Sequence, residues 1–262
     1  MPAPPGASFD LGPLHVQWYG LCVLLGFMVW VFLTARLWQR GGGDGIEAAW
    51  TCLLAAPVAF VGARLYHVFT DYDLYRGDPG GAFDVTQGGL GVYGAVGGGV
   101  LALVVIARAR AWPVPTFLDC AIVGVPLAQA IGRFGNYFNQ ELIGTPTSLP
   151  WGLFVDPAYR PFGFQDVASF HPVFLYESLL DVGIFLILGV LWGPLHRRFR
   201  PGAMVGAYLI FYGFIRLLVE GLRIEPALYM GPLRLNQVVS FLVLATGVLV
   251  LILLDRERAP RR

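Results

Sequence analysis

An all-α, polytopic membrane protein of about seven spanning helices is the fold class that three observations predict. The 262 residues are 56% hydrophobic and only 13% charged, too apolar for a water-soluble domain. Apolar windows of the roughly 20 residues needed to cross a bilayer recur along the whole chain. The arginines fall into alternate connections between those windows, as they do when a chain threads a membrane back and forth.

The spans are expected at Trp18 to Leu37, Glu47 to Phe69, Leu90 to Ala109, Phe117 to Arg133, Pro172 to Leu191, Ala203 to Leu222 and Leu235 to Leu254. The fourth reads as short, and suits a tilted, broken or sheltered helix. Met1 to Pro13 is proline-rich and uncharged apart from Asp10, without the basic start or cleavage pattern of a secretory leader, so the first span is expected to persist. Tyr19 and other aromatics near span ends suit interfacial anchors. The stretch 134–171 is the one long connection, rich in Pro, Gly and aromatics, and reads as an ordered loop region on the outer side. No internal repeat or domain boundary is evident, so 1–262 reads as a single transmembrane domain.

Charge placement orients the chain. Arg36 and Arg40 follow the first span, Arg108 and Arg110 the third, Arg197, Arg198 and Arg200 the fifth, and Arg256, Arg258, Arg261 and Arg262 the seventh. Those connections are expected on the cytoplasmic side. The connection after the second span has Asp71, Asp73, Asp78 and Asp84 against Arg76, and the one after the fourth has Arg160. This places the N-terminus outside and the C-terminus in the cytoplasm. Cys22, Cys52 and Cys120 lie in apolar windows without ligand spacing, and the four histidines are dispersed, so no disulfide framework and no metal site is expected. A chain this apolar, with net charge near +1, gives no sign of nucleic-acid binding.

Polar groups inside the spans carry the functional signal, because a charge at the bilayer centre costs roughly 2.5–3.5 kcal/mol on insertion scales and needs a partner or a wet cavity. Gly132 to Gly144 collects Arg133, Asn136, Asn139, Gln140 and Glu141, one cation, one carboxylate and several amides on a glycine-rich backbone. That set suits an anionic, oxygen-rich ligand; a polar turn capping a helix is the alternative. Tyr212, Arg216, Glu220 and Arg223 are spaced four, four and three apart and form one stripe, in which Arg216 and Glu220 suit an intrahelical pair. His171-Pro172 opens the fifth span, followed by Tyr176, Glu177 and Asp181. Glu177 and Asp181 repel unless one is protonated or a cation, Arg133 or Arg216, lies between them. Arg64 and His67 lie near the outer end of the second span. Gly88 to Gly94 with Gly97 to Gly99 allows either close helix packing or a break at a cavity, and does not match a nucleotide-binding fingerprint.

With these residues in place, the chain resembles the bacterial phosphatidylglycerol:prolipoprotein diacylglyceryl transferase family. Gly132-Arg133-Phe134-Gly135-Asn136-Tyr137-Phe138-Asn139-Gln140-Glu141-Leu142-Ile143-Gly144 meets every fixed position of the family signature Gly-Arg-x-Gly-Asn-x-x-Asn-x-Glu-x-x-Gly. Trp18-Tyr19-Gly20, Ala63-Arg64-Leu65, Gly88 to Gly94, His171-Pro172 with Tyr176-Glu177, and Tyr212 to Arg223 resemble further family motifs, so nearly the whole chain is covered. The resemblance implies a multi-pass enzyme of the bacterial cytoplasmic membrane with a central lipid-accessible cavity. It implies transfer of diacylglyceryl from phosphatidylglycerol to the lipobox cysteine thiol of preprolipoproteins, releasing glycerol phosphate; with no metal constellation in the sequence, no metal or organic cofactor is expected.

The chemistry asks for cations on the leaving phosphate, for which Arg133 and Arg216 are the candidates. It also needs a group that favours the thiolate, since a free thiol near pKa 8.5 is mostly protonated at neutral pH. Glu220 and Glu177 suit holding the arginines in register, or taking a proton. Tyr19, Asn136, Asn139, Glu141, Gly144, His171, Tyr212 and Arg223 complete the expected substrate contacts. One departure stands out: where many family members carry a histidine before glycines, this chain has Tyr93-Gly94-Ala95, and Gln17 stands where some carry another histidine. Tyr93 can hydrogen-bond a phosphate or a polarised thiol but is a poor base near its usual pKa of about 10. Two other readings therefore stay open. An anionic-lipid transporter would need the same intramembrane arginines, and a non-catalytic binder of lipid or signal peptide would follow if Tyr93 cannot replace the histidine.

Overall fold

The computed structural model describes residues 1–77, 79–84, 88–224 and 227–255. Asp78, counted with the acidic connection, and Arg256, Arg258, Arg261 and Arg262, counted as cytoplasmic, lie outside the described residues. Among the described residues, seven helices are long and apolar enough to cross a membrane: α1 (Trp18–Arg40), α2 (Gly45–Thr70), α3 (Val92–Ala109), α4 (Val114–Phe138), α5 (Val173–Arg198), α6 (Ala203–Glu220) and α7 (Leu235–Leu254). At 1.5 Å per residue the shortest, of 18 residues, reach about 27 Å, close to the hydrocarbon thickness of a bilayer. The fourth helix is not short. It has 25 residues and runs through Arg133, Gly135 and Asn136 to Phe138, so the first part of the expected 134–171 loop is helical.

The described chain forms two compact units, 1–30 with 121–262, and 31–120. In the first, α5, α6 and α7 pack in sequence, and most of α4 and the start of α1 belong to the same unit. A hairpin of β1 (Ser8–Leu11) and β2 (Leu14–Gln17) leads without a break into α1. The connection between α4 and α5 is a small antiparallel sheet of β3 (Ile143–Pro146), β4 (Leu153–Phe154) and β5 (Ser169–Pro172) in the order β3-β5-β4. Its inward side chains Ile143, Leu153 and Phe170 bury against Val173, Phe174 and Val219 at the adjoining ends of α5 and α6. The segment after α6 pairs with β3 as well: Thr145 N–H donates to Leu222 O, and Gly144 bridges Arg223. The apolar face of the sheet therefore fixes where Glu141, His171 and Arg223 stand. A second hairpin, β6 (Tyr229–Met230) with β7 (Leu233–Arg234), leads directly into α7.

In the second unit, the turn after α1 places Gly42 at φ +92° and Asp44 as the N-cap of α2, its Oδ1 accepting from Ile46 N–H at 2.7 Å and Glu47 N–H at 3.1 Å. Arg110 pairs with Glu47 at 3.0 Å, and Trp38 packs against Trp112 and Phe117. The glycine-rich run resolves in favour of packing at Gly94 and Gly98, since a Cβ at either would collide with the backbone of α2 at Gly62 or Val58. Gly88 and Gly89, at φ +84° and +80°, shape the turn that precedes α3.

Candidate active site

The polar stripe on α6 meets α4 and α5 at a cluster of buried carboxylates and arginines. Glu177 of α5 and Glu220 of α6 are 2% and 1% exposed, a position that demands cationic partners. Arg216 donates from Nη1 to Glu177 Oε1 at 2.6 Å and from Nη2 to Glu220 Oε2 at 3.0 Å. The intrahelical pair and the bridge between helices are thus both made, by the two arms of one guanidinium. Arg133 of α4 brings Nε to 2.6 Å from Glu177 Oε2, out of line for a hydrogen bond, so that contact is ionic. Arg223 Nη1 lies 3.9 Å from Glu177 and 4.0 Å from Glu220. Of the two arginines expected near Glu177, both are there. Asp181, one turn further along α5, is buried as well and interacts electrostatically with the same two arginines.

Two members were not found from the sequence. Arg234 Nη1 lies 3.5 Å from Glu220 Oε1, and Asn236 Nδ2 donates to the same oxygen at 3.1 Å. Both sit where β7 passes into α7, with Arg234 as N-cap of that helix and its backbone N–H donating to Gln237 Oε1 at 3.0 Å. The available signal was the polar group Arg234, Asn236 and Gln237 at the mouth of an otherwise apolar span. Four guanidinium groups thus surround two carboxylates, and positive charge stays in excess even if Asp181 is ionised.

The signature stretch is part helix and part turn. Asn136 Nδ2 and Asn139 Nδ2 each donate to the Glu141 carboxylate at 3.1 Å, so all three sequence-expected residues form one unit. Gln140 between them takes φ +53° and is buried, clasping Asp156 by two bonds of 2.9 Å, from its amide to Asp156 Oδ2 and from Asp156 N–H to its oxygen. That clasp holds the chain reversal after α4. Gly135 permits contact with Tyr19, whose ring would lie 2.7 Å from a Cβ there, and Gly144 lies within the sheet where a Cβ would meet His171 Cβ at 2.7 Å. His171 Nδ1 shares a 3.0 Å hydrogen bond with Tyr176 OH, which accepts from Trp151 Nε1 at 2.9 Å. Tyr212 stacks on Tyr208, whose hydroxyl donates to Gln129 at 2.9 Å.

Tyr93 belongs to the second unit. It stands in the first turn of α3, 57% exposed, with its ring 5.9 Å from that of Tyr66. In the same unit Arg64 spends all its donor groups on backbone: Nε on Ala82 O, Nη1 on Gly88 O and Gly89 O, and Nη2 on Gly81 O and Asp84 O, at 2.7–3.0 Å. His67 pairs with Asp71 at 3.0 Å.

The family model for prolipoprotein diacylglyceryl transferase matches residues 7–253. The chain belongs to that family. It is 42% identical over 264 residues to a phosphatidylglycerol–prolipoprotein diacylglyceryl transferase of Streptomyces coelicolor, covering 99% of this chain and 82% of the relative. A protein of the same description from Cutibacterium acnes is 41% identical, covering 98% and 87%, and one from Mycobacteroides abscessus 38%, covering 98% and 79%. This diacylglyceryl transferase is accordingly a polytopic membrane enzyme, and the sheet and arginine cluster described above lie within the matched region.

Proposed function

We propose that this chain transfers the diacylglyceryl group of phosphatidylglycerol to the lipobox cysteine thiol of a preprolipoprotein signal peptide, on the outer side of the bacterial cytoplasmic membrane, releasing glycerol phosphate. The observation that carries the reading is the convergence of Arg133, Arg216, Arg223 and Arg234 on Glu177 and Glu220. A positively biased cluster on spanning helices suits a lipid phosphodiester, and its carboxylates hold the arginines still before the substrate arrives.

In the proposed step the cysteine sulfur attacks the glyceryl carbon, and the bond from that carbon to the phosphate oxygen breaks. The electron pair leaves with glycerol phosphate, and the thiol proton passes to the site or to the departing phosphate. Arg133 and Arg216 clamp the phosphate oxygens, where preorganised cations stabilise the growing dianion most. Glu220, held by Arg216, Arg234 and Asn236, keeps Arg216 aimed. Asn136 and Asn139 give their N–H groups to Glu141, which leaves their amide oxygens to accept from the glycerol hydroxyls. Tyr19, His171, Tyr212 and Arg223 complete the substrate contacts, Gly144 gives them room, and Tyr93 supplies a hydroxyl to the phosphate or thiol. The lipid reaches this site through a cavity open to the bilayer, with the N-terminus outside and the C-terminus in the cytoplasm.

The deciding experiment is transfer of labelled diacylglycerol from phosphatidylglycerol to a lipobox peptide by purified protein. Arg133→Ala and Arg216→Ala are expected to abolish transfer while leaving the protein inserted, and wild-type turnover in both would remove the phosphate clamp. Tyr93→Phe and Tyr93→His, run alongside, read whether the hydroxyl participates and whether histidine improves on it. Lipid binding by wild type without transfer would favour a non-catalytic binder.

A further inference from the structure

The second unit has a groove of about 590 Å³ between the end of α1 and the start of α2, and no residue of the candidate active site lines it. Its walls are two helical stripes of equal spacing. Phe32, Ala35, Arg36 and Gln39 come from α1, and Ile46, Ala49, Trp50 and Leu53 from α2, each spaced three, one and three. The floor is made of small residues. A Cβ on Gly45 would lie 3.1 Å from Ala35 O, so the two helices come close there.

The lining changes character along the helix axes. Gln39, Asp44 and Ile46 are at the helix ends and Arg36 lies about 6 Å from the end of α1, whereas Phe32 and Leu53 lie about 12 Å from theirs. The groove thus has a polar mouth at the membrane surface and an apolar inner half at acyl-chain depth. Ile46 and Trp50 are 73% and 58% exposed beside it. Arg36 rests its guanidinium 5.3 Å over the Phe32 ring and makes no ion pair among the described residues. Asp44, the acidic group in the mouth, directs Oδ1 to the N–H groups of Ile46 and Glu47.

We propose that this groove binds an anionic phospholipid of the adjoining leaflet, which the arginine distribution makes the cytoplasmic one. Arg36 takes the phosphate, Gln39 donates to headgroup oxygens, and one acyl chain lies along Phe32, Ala49 and Leu53. Charge complementarity selects the headgroup: a guanidinium without a carboxylate partner, kept desolvated on one face by an aromatic ring, favours a net negative ligand over a zwitterion. The matching polar-to-apolar gradient selects a lipid over a soluble phosphate.

The test is photolabelling of the purified full-length protein with phosphatidylglycerol or phosphatidylcholine carrying a diazirine on one acyl chain, with the labelled peptides mapped by mass spectrometry. Labelling within 32–53 by the phosphatidylglycerol probe is expected to exceed that by the phosphatidylcholine probe. It should fall at least fivefold in Arg36→Ala and in Ala49→Phe, which fills the groove, and be largely kept in Arg36→Lys. Size-exclusion profiles and retained diacylglyceryl transfer in these variants show that the fold is intact. Equal labelling by the two probes, or labelling of 32–53 unchanged in Arg36→Ala and Ala49→Phe, overturns the proposal.

Discussion

Glu177 is the residue on which the arginine cluster depends most. It is 2% exposed and faces two guanidinium groups at 2.6 Å, one hydrogen-bonded and one in ionic contact, so Glu177→Gln leaves Arg133 and Arg216 without their shared countercharge. Removing one partner of a buried ion pair costs about 3–5 kcal/mol, far more than the pair adds relative to apolar replacements. The variant is expected to lose transfer and to melt clearly below wild type in detergent, while Glu177→Asp keeps part of both; a Gln variant with unchanged melting would show that the arginines find other partners. Arg216→Lys isolates geometry from charge. One ammonium cannot reproduce two bonds directed at two carboxylates on different helices, so transfer is expected to drop at least tenfold with the protein still folded. Arg216 and Glu220 were legible because a four-residue spacing on a helix dictates a meeting. Arg234 and Asn236 were not, because their contact with Glu220 is set by a hairpin whose course no periodicity encodes.

At the scale of elements, Arg64 shows how a buried cation can organise a loop without any acid. Its five donor groups meet the carbonyls of Gly81, Ala82, Asp84, Gly88 and Gly89, which gathers these parts of the connection between α2 and α3 around one planar fork. Lysine has three donors and no plane, so Arg64→Lys is expected to loosen this segment and speed its cleavage by a protease added from outside. Because the segment leads directly to Tyr93, the same variant should raise KM more than it lowers kcat; unchanged cleavage and kinetics would make Arg64 dispensable to the loop. The seven helices themselves were legible from apolar length, to within a few residues at most ends. The end of α4 was not. Gly132 and Gly135 suggested a turn, yet in a membrane helix glycine also serves close packing, here that of Tyr19 on Gly135, and the helix continues to Phe138. The actual reversal comes at Gln140, a non-glycine residue at φ +53° stabilised by its clasp on Asp156, and nothing in its side-chain type announces that backbone.

For the whole molecule, seven crossings would set the start of α1 and the end of α7 on opposite faces of the membrane, and the arginine placement is our ground for proposing which face is which. Beyond the single Arg76 and Arg160 of the other exterior connections, two further arginines, Arg223 and Arg234, follow α6 and precede α7 on the side assigned to the exterior. Both approach Glu220 within 4.0 Å, so they act as parts of an internal ion cluster and weigh little as surface charge. Discounting them leaves the bias intact, and on it Arg40 is expected inside and the β3–β4 connection outside. The orientation is open to direct measurement once Cys22, Cys52 and Cys120 are replaced by alanine. A single cysteine at Ser148, exposed between β3 and β4, should react with a membrane-impermeant maleimide on intact cells, whereas one at Arg40 should react only after the membrane is opened. The reverse pattern would invert the protein. It would also place the arginine cluster beside the cytoplasm, where a preprolipoprotein signal peptide has not yet crossed, and the proposed order of substrate encounter would fail with it.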